Sequence, residues 1–332
     1  MNSKNIVIIG AGSWGTALGI MLAEQHSVTL WEYNSEQAER LKRERVNTAF
    51  LPNIPFPDTL AISHDIAVSE TADIIVIAVP SQAVRQVCTR LAPHIRQNHI
   101  IASVVKGIEN STFKRMSEII NEVCPPHDAT VVISGPSHAE EVARQLPTAV
   151  VVAGTSKNAV QLIQTIFTTP YFRLYANYDI IGTELCGSLK NIIAIAAGIA
   201  DGLHLGANAK SALMTRGMAE IRRFGIAFNA HESTFSGLAG IGDLITTCIS
   251  PFSRNRYVGE QCAAGKTLDD ILKTMNMVAE GVTATKNVHQ RADDHSIEMP
   301  VTDAVYCILF ENKPPAQALE ELMTRSQKEE IQ

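Results

Sequence analysis

Six short apolar runs punctuate the first half of the chain, at residues 6–9, 28–31, 74–79, 100–105, 131–134 and 149–153. Each is continuous rather than alternating, as expected of strands buried on both faces of a parallel sheet. Helix-patterned stretches lie between several of them, at 15–24, 35–44 and 81–91. Strand-helix alternation of this kind restricts the first half to a doubly wound α/β arrangement. After about residue 178 the pattern changes. Residues 181–224 are rich in Ala, Leu, Ile and Met with few strand signals, and 268–275, 279–291, 301–310 and 315–323 also read as helices. A length of 332 residues suits two domains. We expect an α/β domain over 1–178, with a mainly parallel sheet, and an all-α domain over 179–332.

The first run feeds a glycine turn, GAGSWG, which sets Gly10, Gly12 and Gly15 in G-x-G-x-x-G spacing. In such a turn the first glycine permits the sharp exit from the strand. The second lets the backbone approach a pyrophosphate, and the third lets the helix pack closely on the strand. The helix N-terminus adds unpaired N–H groups and a partial positive charge. A strand precedes this turn and a helix follows it, which is the context a Rossmann-type dinucleotide site requires. Glu32 closes the second strand, where an acidic side chain accepts hydrogen bonds from an adenosine ribose, and this favours NAD. Arg40 and Arg43 come later, in the following helix, so no arginine stands immediately beside Glu32 to take a 2′-phosphate.

Composition removes several function classes. The net charge of −6 lacks the basic excess of a nucleic-acid-binding domain. Cys88, Cys124, Cys186, Cys248, Cys262 and Cys307 are scattered and form no C-x-x-C pair, the usage of reduced thiols in a cytosolic protein. The histidines show no metal-ligand spacing, so no metal is expected. No signal peptide precedes the first strand, and the apolar run at 192–200 is well short of the ~20 residues of a membrane span. These features point to a cytoplasmic protein without a membrane span. Asn110-Ser111-Thr112 is read as a chance sequon in a turn, and the charged tail 325–332 is expected to fray. The apolar helices of the second half suit a homodimer or plain core burial equally.

Four more stretches carry chemistry. VVKGIE places Lys106 just past a strand, at the carboxyl edge of the sheet where ligands of open α/β sheets bind. ISGPSHAEE brings Ser134, Gly135, Pro136 and Ser137 to the same edge and starts a helix. GSLKNIIAIAAGIADG sets Lys190 and Asn191 in an otherwise apolar helix. A lysine there is paired, snorkels to solvent, or is desolvated and lowered in pKa for use as a base. GIGDLITTCISPFSRNR combines Asp243 and Thr247 with Ser253, Arg254 and Asn255. Arg254 offers a planar fork that matches a phosphoryl group, with Ser253 and Asn255 as neutral donors.

With GAGSWGTALG, NTAFLPNIPFP, KGIE, ISGPSHAEE, LKNIIAIAAGIADG, GANAKSALMTRGMAEI, GLAGIGDLITTC, SRNR and VAEGVTATK in order along the chain, the sequence resembles the bacterial soluble NAD(P)-dependent glycerol-3-phosphate dehydrogenases. The resemblance implies interconversion of dihydroxyacetone phosphate and sn-glycerol 3-phosphate, for the glycerol backbone of phospholipids, with NAD or NADP as cofactor. It implies Lys190 as the proton acceptor in alcohol oxidation and Lys106 as shared by substrate and cofactor. Gly135, Ser137, Asp243, Ser253, Arg254 and Asn255 fall on substrate positions. Ser13, Trp14, Tyr33, Ala139, Arg254, Val278 and Glu280 fall on cofactor positions. Two departures stand out. Glu32-Tyr33-Asn34 replaces a segment that carries a basic residue in many relatives, which leaves the choice between NAD and NADP open. His138 stands where an apolar aromatic is common. Another dehydrogenase with a helical second domain, of the β-hydroxyacid or 6-phosphogluconate type, and a non-catalytic dinucleotide sensor remain as alternatives.

Overall fold

The computed structural model describes residues 3–275, 278–327 and 329–330. Its first half holds ten strands: β1 (Asn5–Ile9), β2 (Ser27–Trp31), β3 (Val46–Asn47), β4 (Leu51–Pro55), β5 (Leu60–Ser63), β6 (Ile74–Ile77), β7 (Ile100–Ser103), β8 (Ala129–Ser134), β9 (Thr148–Gly154) and β10 (Phe172–Asn177). Eight form one sheet in the order β10-β9-β8-β7-β6-β1-β2-β5, and β3 pairs with β4 apart from it. Every neighbour pair in the large sheet is parallel except β8–β9, which is antiparallel. All six expected runs are strands. The sheet also contains β5 and β10, which the apolar-run reading passed over, and the β3–β4 pair is likewise an addition.

Helices α1 (Ser13–Leu22), α2 (Ser35–Glu44), α3 (Val84–Leu91), α4 (Met116–Val123), α5 (Ala139–Val142) and α6 (Lys157–Phe167) flank the sheet. Alternate residues of its strands go to separate cores. Ile6, Ile8, Ile74 and Val76 pack in one with Leu18 and Met21 of α1. Val7, Ile9, Ile75 and Ile77 pack in another with Val84, Val87 and Leu91 of α3. Both faces of the sheet are therefore covered, which is why its strands read as unbroken apolar runs. The chain builds outward from β1 through β2 to β5, then returns to β6 on the other side of β1. That reversal opens a crevice at the carboxyl ends of β1 and β6.

From Ile180 the described structure is helical: α7 (Ile180–Gly202), α8 (Gly206–Ala227), α9 (Asp243–Ile249), α10 (Arg254–Ala263), α11 (Leu268–Thr274), α12 (Glu280–Asp294), α13 (Pro300–Phe310) and α14 (Pro315–Met323). Asp179 caps α7, accepting from Gly182 N at 2.9 Å while its second oxygen takes His231 N at 2.9 Å and Thr234 Oγ1 at 2.6 Å. Residues 182–200 of α7 are all buried. A Cβ added at Gly198 would meet Arg256 O at 1.9 Å, and one at Gly259 would meet Ile195 O at 2.0 Å. Only glycine lets α7 and α10 approach so closely, and that contact fixes Lys190 on one helix relative to Arg254 on the other.

One expectation needs correction. The apolar segment is not confined to 192–200: α7 runs for 23 residues with mean hydropathy 1.4, long and apolar enough to cross a membrane. Here it is the centre of the helical core, with 89% of its apolar window buried. Glu184 and Lys190 broke up the run in the sequence, yet both are buried and paired. Arg115 Nη1 and Ser117 Oγ donate to Glu184 at 2.6 and 2.5 Å. Of the tail expected to fray, Lys328, Ile331 and Gln332 lie outside the described residues. All six cysteines are free thiols, and all but Cys307 are buried.

Candidate active site

A cavity of about 760 Å³ follows the crevice from the end of β2 across the glycine turn to α7, α9 and α10. Every site residue expected from the sequence lines it except Gly15 and Gly135. Gly10 has φ +118°, a left-handed conformation that only glycine adopts easily. A Cβ at Gly15 would lie 2.0 Å from Gly10 O, so α1 packs directly on the turn. A Cβ at Gly12 would meet nothing within 4 Å. No side chain caps α1 at Gly12. The turn therefore presents an open backbone and a helix N-terminus to the cavity, which fits a pyrophosphate. Asn47 at the end of β3 braces it, donating through Nδ2 to Ala11 O at 2.8 Å and Thr16 Oγ1 at 2.9 Å.

Across the cavity, two lysines share one carboxylate. Lys190 Nζ donates to Asp243 Oδ1 at 2.5 Å and to Thr247 Oγ1 at 2.6 Å. Lys106 Nζ donates to Asp243 Oδ2 at 2.7 Å and to Gly135 O at 2.9 Å. Thr247 Oγ1 in turn donates to Asp243 O at 2.7 Å, one turn back along α9. A π-helical turn at Leu238–Gly242 precedes Asp243, a local irregularity often found at functional sites. The side chain of Asp243 is 2% exposed and that of Lys190 is 6% exposed, so Lys190 does not snorkel.

Burial and the neighbouring charges compete over the Lys190 proton. Burial drives the Lys190 ammonium down; Asp243 opposes this and Lys106 reinforces it, and the pKa settles at about 7. Burial alone would raise Asp243, but the two ammonium groups outweigh it and hold the carboxyl below its ordinary range. His138 lies on the same wall, its ring 5.9 Å from that of Phe252. Burial first, then Lys190 and Lys106, push its pKa to about 4, so it is neutral at physiological pH.

The other expected residues are placed as follows. Ser253 caps α10, accepting from Arg256 N at 3.2 Å. Asn255 Oδ1 accepts from Gly281 N at 2.9 Å. Arg254 donates to Val278 O at 3.0 Å. Ser137 Oγ donates to Gly135 O at 3.0 Å, and Ala139 opens α5. Asn191 donates weakly to Gly187 O at 3.4 Å. Glu280 is the surprise among the expected cofactor positions: both its oxygens are taken by Ser81, through N at 3.0 Å and Oγ at 2.5 Å. Among the described residues no group of three His, Cys, Asp or Glu side chains could hold a metal ion.

Family models described as the N-terminus and C-terminus of NAD-dependent glycerol-3-phosphate dehydrogenase match residues 5–160 and 179–320. The chain belongs to the NAD-dependent glycerol-3-phosphate dehydrogenase family. It is 49% identical to a glycerol-3-phosphate dehydrogenase of NAD(P)+ type from Prosthecochloris aestuarii, over 98% of this chain and 99% of the relative. It is 48% identical to the corresponding protein of Chlorobium limicola, over 98% and 99%. The crystal structure of glycerol-3-phosphate dehydrogenase (gpsA) from Coxiella burnetii superposes with a TM-score of 0.93 at 42% identity, covering 97% of this chain and 99% of that one. Family membership sets aside the β-hydroxyacid and 6-phosphogluconate alternatives. Within the glycerol-3-phosphate dehydrogenase fold, sequence reasoning missed the bracing role of Asn47 and the Ser81–Glu280 contact. Asn47 sits inside the NTAFLPN motif, but no spacing rule links it to a turn thirty-odd residues upstream, beyond α1, β2 and α2.

Proposed function

We propose that the chain reversibly reduces dihydroxyacetone phosphate to sn-glycerol 3-phosphate with NADH or NADPH, supplying the glycerol backbone of phospholipids. In this reading residues 1–178 hold the cofactor and 179–332 the substrate, and the enzyme works in the cytoplasm. Gly10, Gly12, Ser13 and Trp14 would hold the pyrophosphate, and Glu32 and Tyr33 the adenosine ribose. The nicotinamide, when bound, is the source and sink of the hydride at substrate C2.

The proton is the business of Lys190. An ammonium has three donors; Asp243 and Thr247 take two, and the third is left for the substrate oxygen on C2. In oxidation the neutral amine accepts the hydroxyl proton there, and in reduction the ammonium returns it and polarises the carbonyl. A pKa lowered toward neutrality lets Lys190 act as base in one direction and, protonated, as acid in the other. Lys106 likewise has one donor left after Asp243 and Gly135. It would help neutralise the substrate while keeping the Lys190 pKa down. Arg254, with Ser253 and the amide of Asn255 at the start of α10, would bind the phosphate.

The observation that carries this reading is the Lys190–Asp243–Lys106 chain, which sets a buried, low-pKa lysine in the wall of the cavity. The test is nicotinamide oxidation by purified protein with dihydroxyacetone phosphate. Lys190→Ala should abolish turnover while largely sparing cofactor binding. A folded protein that binds NADH but does not turn over this substrate would sink the proposal.

A further inference from the structure

One end of the cavity carries a feature that the proton chemistry does not use. Ala83, Gln86, Val87 and Arg90 stand at i, i+3, i+4 and i+7, on one face at and along α3, and all four line the cavity. Arg90, in the last turn, faces the end of β2. Its guanidinium lies 4.9 Å from the ring centroid of Tyr33 and 5.4 Å from that of Trp31. The two rings meet edge to face at 6.2 Å and 84°, forming a corner that holds the cation. Among the described residues, these ring contacts are its only recorded partners. Arg85, on the same helix, is by contrast committed to Glu109 and Glu122.

Glu32 stands beside this corner and is turned back on its own loop, with Oε1 accepting from Asn34 N at 3.0 Å. Arg40 and Arg43, the arginines closest after Glu32 in sequence, do not line the cavity. A guanidinium steadied by two aromatic rings, with its N–H fork uncommitted, matches a phosphate dianion. Its place at the end of the second strand matches the ribose end of a dinucleotide.

We infer that Arg90, seated on Trp31 and Tyr33, receives the 2′-phosphate of NADPH, so that the chain accepts NADPH as well as NADH. The inference rests on the dinucleotide reading above and names the residue that sets cofactor choice. Glu32 then serves the ribose hydroxyls of NADH, and Arg90, reaching in from α3, serves the phosphate that Glu32 would repel.

Calorimetric titration of the purified protein with 2′,5′-ADP and with ADP tests this without turnover. Arg90→Ala should weaken 2′,5′-ADP by about tenfold or more while ADP changes by less than about threefold. The ratio of kcat/KM for NADPH over NADH should fall by a similar factor. Arg90→Lys should recover only part of the loss, because a lysine keeps the charge but not the planar fork. Retained ADP binding shows that each variant is folded. Equal weakening of both ligands would make Arg90 a base-stacking or wall residue and overturn the inference, as would no change in either. Wild-type protein that shows the expected ligand preference but no turnover of dihydroxyacetone phosphate would remove the reaction and leave this inference standing.

Discussion

Replacing Asp243 by asparagine should move the Lys190 titration to lower pH. The side chain keeps its shape and loses its charge. Asp243 Oδ1 lies 2.5 Å from Lys190 Nζ, and the carboxylate is the one influence that favours the ammonium against burial and Lys106. At an effective dielectric of about 20, opposite unit charges near 4 Å attract by about 4 kcal/mol. That corresponds to roughly three pKa units at 1.36 kcal/mol each. The amide dipole restores part of this, so a drop of more than about one unit is the minimum expected. Without the anion the neutral amine persists to lower pH. In the wild type, glycerol 3-phosphate oxidation should rise with pH through about 7 as Lys190 loses its proton. In Asp243→Asn that limb should lie at least about one unit lower, even where kcat has fallen for want of positioning. NMR of isotopically labelled lysine side chains reads the same titration without turnover, with Lys190 assigned by its loss in Lys190→Arg. A Lys190 titration that stays in place or moves upward would refute the electrostatic account, because it would mean Asp243 was not holding the proton on.

The other predictions concern separate parts of the molecule. Arg254→Ala should raise KM for dihydroxyacetone phosphate by about tenfold to a hundredfold with a smaller effect on kcat; an unchanged KM removes the phosphate role. Glu32→Ala should lower kcat/KM with NADH and raise it with NADPH, and a parallel loss with both would show that Glu32 only builds the wall. Asp179→Ala deletes the α7 cap and strands His231 N and Thr234 Oγ1. It should cost about 2 to 4 kcal/mol in urea denaturation, and a loss under about 0.5 kcal/mol would mean that the cap is dispensable.

What the sequence revealed and what it hid follow from how each element is buried. β1 and β6 were legible because both faces of each are covered, so residues 6–9 and 74–77 are all apolar. β5 and β10 lie at the two edges of the sheet, and in β10 the buried Phe172 and Leu174 alternate with the exposed Arg173 and Tyr175. An apolar-run criterion cannot register that pattern, though a period-two one would. α7 was legible as a helix but not in its length, since Glu184, Lys190 and Asn191 look like interruptions until their partners are known. Arg90 escaped for a related reason. It lies 58 positions after Glu32, and only the sheet order, which sets β6 and its following α3 across β1 from β2, brings the two to one cavity.

The proton chemistry is hidden from the sequence for the same reason, and more deeply. The residues of the Lys190–Asp243–Lys106 chain come from three places: the end of β7, the middle of α7 and the start of α9. Each could be picked out as chemically suggestive, but their combined effect on one pKa depends on distances and burial that no local sequence contains. Asp243 has two oxygens and gives one to each lysine, so its two interactions are not independent. Lys106 neutralises part of the charge that favours the Lys190 ammonium, and also repels that ammonium directly. A carboxylate serving Lys190 alone would hold the proton more firmly against the pull of burial. Burial does most to turn that ion pair into a proton acceptor, and the second lysine adds to it. Because Lys106 follows a strand of the sheet while Lys190 and Asp243 belong to the helical half, the proton affinity of the base is set only where the two halves of the chain meet.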